Sequence, residues 1–183
     1  DKSASLAFNE SNTLRLDGPL DVDVLRRATQ ITFNRHDALR STFSEDGSML
    51  LVHPSIEADL VWVDLAERAA ADRDAALAAM ILAEVETPFD LERGPLVRGH
   101  LVRLSEEEHR LIITAHHIVC DGWAIDVIVR DVGELYTRLK RGETAPLPPA
   151  DSFAQFALEE LARRDGEETR RAEAFWLERF AGD

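Results

Sequence analysis

The run Leu111-Ile112-Ile113-Thr114-Ala115-His116-His117-Ile118-Val119-Cys120-Asp121-Gly122-Trp123 decides how the rest of the chain is read. Its first five residues are apolar apart from Thr114, which marks a strand buried on both faces, as at the centre of a sheet. Successive side chains on a strand point to opposite faces, so His116 and His117 are expected to do different jobs. His116 is expected to enter the packed layer and His117 to face out of it. After the pair the strand breaks into a short loop, and a helix is expected from Trp123. Strand ends and the loops that follow them are where chemically active groups collect.

Outward from this run the chain alternates between strands and helices. Downstream, Ile125, Ile128, Val132, Leu135 and Leu139 step by three and four, an amphipathic helix that Gly142 stops. Ala145-Pro146-Leu147-Pro148-Pro149 is a stiff connector. Two polar helices are expected near 152–164 and 167–180, forming a helical tail over about 151–183. Upstream, Leu96 to Leu104 and Arg110 to His116 flank Ser105-Glu106-Glu107-Glu108 as a hairpin. Pro88 and Gly94-Pro95 bound a loop, and the alanine-rich stretch from Ala66 to Val85 predicts a helix. Leu60 to Val63 reads as a strand, and Asp46-Gly47 as the turn between Leu39–Phe43 and Met49–His53. Thr13 to Leu16 alternates as a strand, and Asp21 is placed to cap a helix running to about Asn34. The fold class expected is an α/β (α+β) sandwich: a mixed β-sheet with helices packed on it.

Composition narrows the function. The chain has 183 residues, 35 acidic against 21 basic, and a net charge of -14. A field of that sign repels phosphate backbones and argues against nucleic acid as a partner. One cysteine, Cys120, cannot form a disulfide within the chain. No window reaches roughly 18 uninterrupted apolar residues, so no membrane partner is expected. No leader pattern opens the sequence, and a cytoplasmic location is expected. A start at Asp1 without Met reads as a piece of something longer. No glycine-rich phosphate loop can be written anywhere along the chain.

Taken singly, the candidate residues have ordinary readings. His36, His53, His100 and His109 read as core or surface histidines. Cys120 reads as a small buried apolar residue, and Trp123 as core. Adjacent histidines on a strand diverge and no third ligand at zinc spacing stands nearby, so no metal site is expected.

In combination the residues are far more specific. His116-His117-Ile118-Val119-Cys120-Asp121-Gly122 has the form HHxxxDG, which resembles the signature of condensation domains of nonribosomal peptide synthetases, within the chloramphenicol-acetyltransferase-like superfamily. Arg35-His36-Asp37-Ala38-Leu39-Arg40-Ser41-Thr42-Phe43 resembles that family's RHExLRTxF, with Asp at 37 and Ser at 41. Pro88-Phe89-Asp90-Leu91, Gly94-Pro95-Leu96-Val97-Arg98 and Phe175-Trp176-Leu177 also resemble family text. Within the resembled superfamily, the intact histidine pair argues against heterocyclisation domains, and Trp after the motif against epimerisation domains.

The resemblance implies one half of a chloramphenicol-acetyltransferase-like fold, the N-terminal subdomain of a condensation domain, truncated at both ends. The resemblance places the family's opening motif before residue 1, with matching text from Phe8-Asn9-Glu10 onward, and the family's second half beyond the tail. It implies peptide-bond formation between thioesters held on the phosphopantetheine arms of peptidyl or acyl carrier proteins, with no cofactor bound by the chain itself. The implied partners are those carrier proteins and the C-terminal half of the domain. His117 and Gly122 are the implied catalytic residues, His117 as base or positioning group and Gly122 as backbone near the reacting centre. His116, Asp121, Arg35 and Arg40 are the implied structural residues, with Asp121 expected to pair with Arg35 or Arg40. Aminolysis requires removal of a proton, to which imidazole is suited near neutral pH. Two alternatives stand beside this reading: a stand-alone acyltransferase using coenzyme A, and a non-catalytic module that docks carrier proteins. The half-domain alone is expected to be inactive.

Overall fold

The computed structural model describes residues 5–58 and 60–181. Within residues 1–150 a four-stranded sheet has the order β1-β6-β5-β4: β1 (Asn9–Asp17), β4 (Leu60–Asp64), β5 (Val97–Arg103) and β6 (Glu108–His116). β6 pairs antiparallel with both β1 and β5, and β5 pairs parallel with β4, so the sheet is mixed. β2 (Ser41–Phe43) and β3 (Leu50–Val52) form a separate hairpin. The helices are α1 (Val22–Arg35), α2 (Ala70–Glu86) and α3 (Gly122–Lys140).

Strand alternation sorts β6 between two apolar layers. Leu111, Ile113 and Ala115 share one core with Leu25 and Ala28 of α1 and Ile125, Ile128, Val132 and Leu135 of α3. Ile112 joins a second core with Val102, Leu65 and Leu104, against Ala76, Leu77, Met80 and Ile81 of α2. The sheet is therefore covered on both faces, which is what the unbroken apolar run required. Residues 151–183 form a second compact unit. It holds α4 (Phe153–Arg163), capped by Ser152, and α5 (Glu167–Phe180).

Three elements differ from expectation. β1 is nine residues long and begins at Asn9, four positions before the apolar alternation starts. The ladder to β6 holds that polar half, with Ser11 and Thr114 hydroxyls hydrogen-bonded at 2.9 Å. The segment expected as a strand from Leu39 opens as a short 3-10 turn, Ala38–Arg40, before β2. α2 starts at Ala70 because Ala66 N–H is taken by the Asp64 carboxylate, forming a turn first.

Gly94 closes the loop that follows Pro88-Phe89. Its φ is +60°, and a Cβ there would stand 2.9 Å from the Thr42 methyl. Both the backbone and the space at this position therefore demand glycine.

Candidate active site

β6 delivers the two histidines to different surroundings. His116 is its last residue and is only 4% exposed. Its ring lies between Phe8 and Phe89, with centroids 6.0 Å and 6.2 Å away. Nδ1 accepts the N–H of Ile118 at 3.1 Å, and Nε2 lies 3.0 Å from the Ser5 hydroxyl. A ring nitrogen that accepts a backbone N–H carries no proton, so the neutral ring has its proton on Nε2, donated to Ser5 Oγ. His117, one residue on, is exposed, and its backbone N–H donates to Phe8 O at 2.7 Å. The Ile118 bond and the Val119 N–H to His116 O bond close a tight turn after the strand. Phe8, His116, His117 and Ile118 line an open cavity of about 330 Å³. Ile118 also borders a larger cleft of about 600 Å³, together with Ser5, Phe43, Phe89 and Leu91.

Burial, reinforced by the neighbouring His117, holds the His116 pKa below the ordinary 6.5, against a smaller upward pull from Ser5. Burial and then Arg103 do the same for His109, which Asp64 only partly offsets. Below 6.5 the unfolded chain therefore binds more protons at these rings than the folded one, and stability falls as pH falls. Stability from these groups is complete above about pH 6.5 and is lost towards their folded values. Melting midpoints taken from pH 8 down to pH 5 are expected to drop below pH 6.5. In a His116→Gln, His109→Gln double variant that drop is expected to shrink.

Among the remaining motif residues, Asp121 departs from the expected pairing. Asp121 is exposed and is the N-cap of α3, its carboxylate accepting Ala124 N–H at 2.8 Å. The expected ion pair between Asp121 and Arg35 or Arg40 is not formed. Solvent and the helix N-terminus satisfy this carboxylate, so the burial that would have demanded an arginine is absent. Asp121→Ala should then cost what an N-cap costs, about 1 kcal/mol, measured by urea denaturation of the chain. A loss of about 3–5 kcal/mol would instead signal a buried ion pair at Asp121.

Arg40 donates to the Asp37 carboxylate and to His53 O. Arg35 donates from Nε to Asp131 Oδ2 at 2.9 Å and from a terminal nitrogen to Pro148 O. His36 Nε2 meets the same Asp131 oxygen at 2.9 Å. Burial pushes the Asp131 carboxyl up, but the hydrogen bonds from Arg35 and His36 outweigh it and leave it below the usual carboxylate value. The Arg-His motif thus ties the end of α1 to the middle of α3, the helix that starts at the site. His36, an ordinary histidine by its sequence, is part of this latch. Asp131 carries a sequence signal of its own: an acid three residues after Ile128 and next to Val132 sits on the apolar face of its helix.

Gly122 is the first residue of α3, and a Cβ added there would meet nothing within 4 Å. This chain's own packing does not require glycine at 122. Trp123, expected in the core, is 83% exposed. Cys120 is buried, and burial pushes its thiol up to about 12, so it stays protonated and non-nucleophilic at neutral pH. Among the described residues no group of three His, Cys, Asp or Glu side chains is placed to hold a metal ion. Among them, too, no helix is long and apolar enough to cross a membrane.

A mixed sheet between helical layers, with one exposed histidine beside a buried partner at the end of its central strand, defines the class of site. Residues 2–183 match the family described as the condensation domain, and the chain belongs to that family. It is 35% identical over 181 residues to chondramide synthase cmdD of Chondromyces crocatus, covering 97% of this chain and 5% of that protein. It is 34% identical over 180 residues to the phosphinothricin tripeptide synthetase PhsC of Streptomyces viridochromogenes, covering 96% of this chain and 16% of that one. Its fold superposes with a TM-score of 0.83 on the EpoB cyclization-docking bidomain from Sorangium cellulosum. That match has 27% identity and covers 95% of this chain and 34% of the other. The chain thus spans a small fraction of the curated relatives and about a third of that solved chain.

Proposed function

We propose that the chain is the N-terminal half of a condensation domain in a nonribosomal peptide synthetase, and that His117 serves peptide-bond formation. The observation that carries this reading is the contrast within the histidine pair. His116 is buried and holds the turn, while His117 is exposed and anchored by its backbone at the mouth of a cavity.

An acceptor amine attacks the carbonyl carbon of a donor thioester. The C–N bond forms, the C–S bond breaks, and the thiol leaves. The attacking nitrogen must lose a proton, and the exposed His117 imidazole is the group in reach to take it or to orient the amine. The substrates arrive on the phosphopantetheine arms of carrier proteins, so the chain itself binds no cofactor. The open space over Gly122 and Trp123 leaves room for substrate and for the C-terminal half of the domain. His116, Asp121, Arg35 and Arg40 serve the scaffold: the first holds the turn, the second caps α3, and the arginines brace α1 and the following loop.

The test is a single-turnover assay of the full-length protein with aminoacyl-loaded donor and acceptor carrier proteins. Dipeptidyl carrier is the expected product, and the 183-residue chain alone is expected to form none. Acylation from coenzyme A thioesters by the chain alone would point to a stand-alone acyltransferase. Carrier binding without turnover by the full-length protein would point to a docking module.

A further inference from the structure

The segment before β1 holds the histidine pair at three points. Ser5 Oγ stands 3.0 Å from His116 Nε2. Phe8 O accepts the His117 backbone N–H at 2.7 Å. The Phe8 ring lies against the His116 ring, and Phe8 N–H returns to Ser5 O at 3.0 Å, closing the segment into a turn. The contacts to the histidine pair join residues more than a hundred positions apart in the chain. The turn after β6 depends on His116 Nδ1 accepting from Ile118 N–H. That bond exists only while Nδ1 is unprotonated, so the ring proton must sit on Nε2, where it needs an acceptor. Ser5 Oγ is the acceptor present, and Thr is the other side chain that places a hydroxyl one bond from Cβ.

We propose that Ser5 is a positioning residue: by accepting the His116 Nε2 proton it fixes the ring tautomer that holds the 117–119 turn, and so fixes where His117 stands. The proposal rests on the reading of His117 as the group that serves the amine. Ser5 acts through His116 and the turn, and touches no reacting atom. Its hydroxyl proton remains free to be given elsewhere, and Ser5 also borders the 600 Å³ cleft beside Ile118. Misplacement by a small distance is enough to matter, since about 1 Å at a reacting group can cost roughly a hundredfold in rate.

The experiment has two arms. The 15N shifts and long-range couplings of the His116 ring are measured in the 183-residue chain near pH 8, for wild type, Ser5→Ala and Ser5→Thr. The same variants and His117→Ala are built in the full-length protein, and single-turnover rate and half-saturation with loaded carriers are measured. Wild type is expected to show the proton on Nε2. Ser5→Ala is expected to lose that single tautomer and to slow turnover by about 10–100-fold with half-saturation unchanged. Ser5→Thr is expected to restore both.

A proton on Nδ1 in wild type overturns the proposal, as does a Ser5→Ala protein with wild-type rate. If Ser5→Ala loses its fold on heating, Ser5→Thr decides. Wild-type rate and an Nε2 proton support the proposal, and a folded but slow Thr variant overturns it. Failure of the underlying reading looks different. There His117→Ala turns over at the wild-type rate, whatever the ring of His116 reports.

Discussion

His117→Ala in the full-length protein is expected to slow peptide-bond formation by about 10²–10⁴-fold, the range of general acid–base contributions. Folding should be untouched, because the His117 side chain is exposed and its structural tie is a backbone N–H that alanine keeps. Carrier binding should also persist, since only the imidazole is removed. His116→Ala is expected to differ in kind. It empties a 4%-exposed site, removes the acceptor for Ile118 N–H and leaves the Ser5 hydroxyl without its partner. Unmatched buried groups cost about 1–3 kcal/mol each, so this variant should melt early or fall out of solution. A thermal melt beside the turnover assay separates the two: one variant folded and slow, the other unstable. A folded His117→Ala protein with wild-type rate would leave backbone and cavity shape to carry the reaction.

Asp131→Ala is expected to cost far more stability than Asp121→Ala. Asp131 is 6% exposed, and its carboxylate is shared by Arg35 and His36, each 19% exposed. Removing it strands a half-buried guanidinium between two helices. One-sided removal of a buried pair costs about 3–5 kcal/mol, and the partial exposure of Arg35 puts the expectation at about 3 kcal/mol. At about 2–4 °C per kcal/mol for a chain of this size, the midpoint falls by about 6–12 °C. Asp131→Asn keeps the shape and one acceptor oxygen and should lose less. Because the carboxyl sits below its usual value, this stabilisation is present above the unfolded pKa and is lost as pH falls through the folded one. Urea curves for Asp131→Ala and Asp121→Ala, measured together, rank the latch against the cap. Equal losses would overturn the assignment.

What is legible from residues alone follows physical lines. β6 is legible because its apolar run from Leu111 to Ala115, within six buried positions in a row, leaves few other options, and α3 because its apolar spacing is regular. The first half of β1 is not, since Asn9 to Asn12 carry no alternation and are held by pairing with a strand about a hundred residues away. The opposite fates of His116 and His117 follow from where β6 ends: His116 is its last residue, and His117 stands in the exposed turn beyond it, whereas alternation alone would carry His117 to the same covered face as Ile113 and Ala115. The partner of Arg35 is not legible from the strand pattern either. Asp131 stands between Ile128 and Val132 on α3, outside any conspicuous motif, whereas Asp121 belongs to one. A carboxylate between a buried strand and a helix need not be buried when it stands at the helix's first turn. Trp123 departs from expectation for the same reason, being large and apolar yet on the outer side of that turn.

The ladder between β1 and β6 has a consequence for synthesis on the ribosome. Its register pairs Asn9 with His116, so β1 emerges about a hundred residues ahead of its partner. At about 5–20 residues per second, β1 waits about 5–20 s with both edges open. During that time the β5–β6 hairpin does not yet exist to shield it. Only when β6 arrives can Phe8 meet His117 and Ser5 meet His116, so the site is among the last places to assemble. Contacts of such long sequence separation are slow to close. Nascent chains of this protein should therefore present an unpaired strand to ribosome-associated holdases until β6 has cleared the exit tunnel.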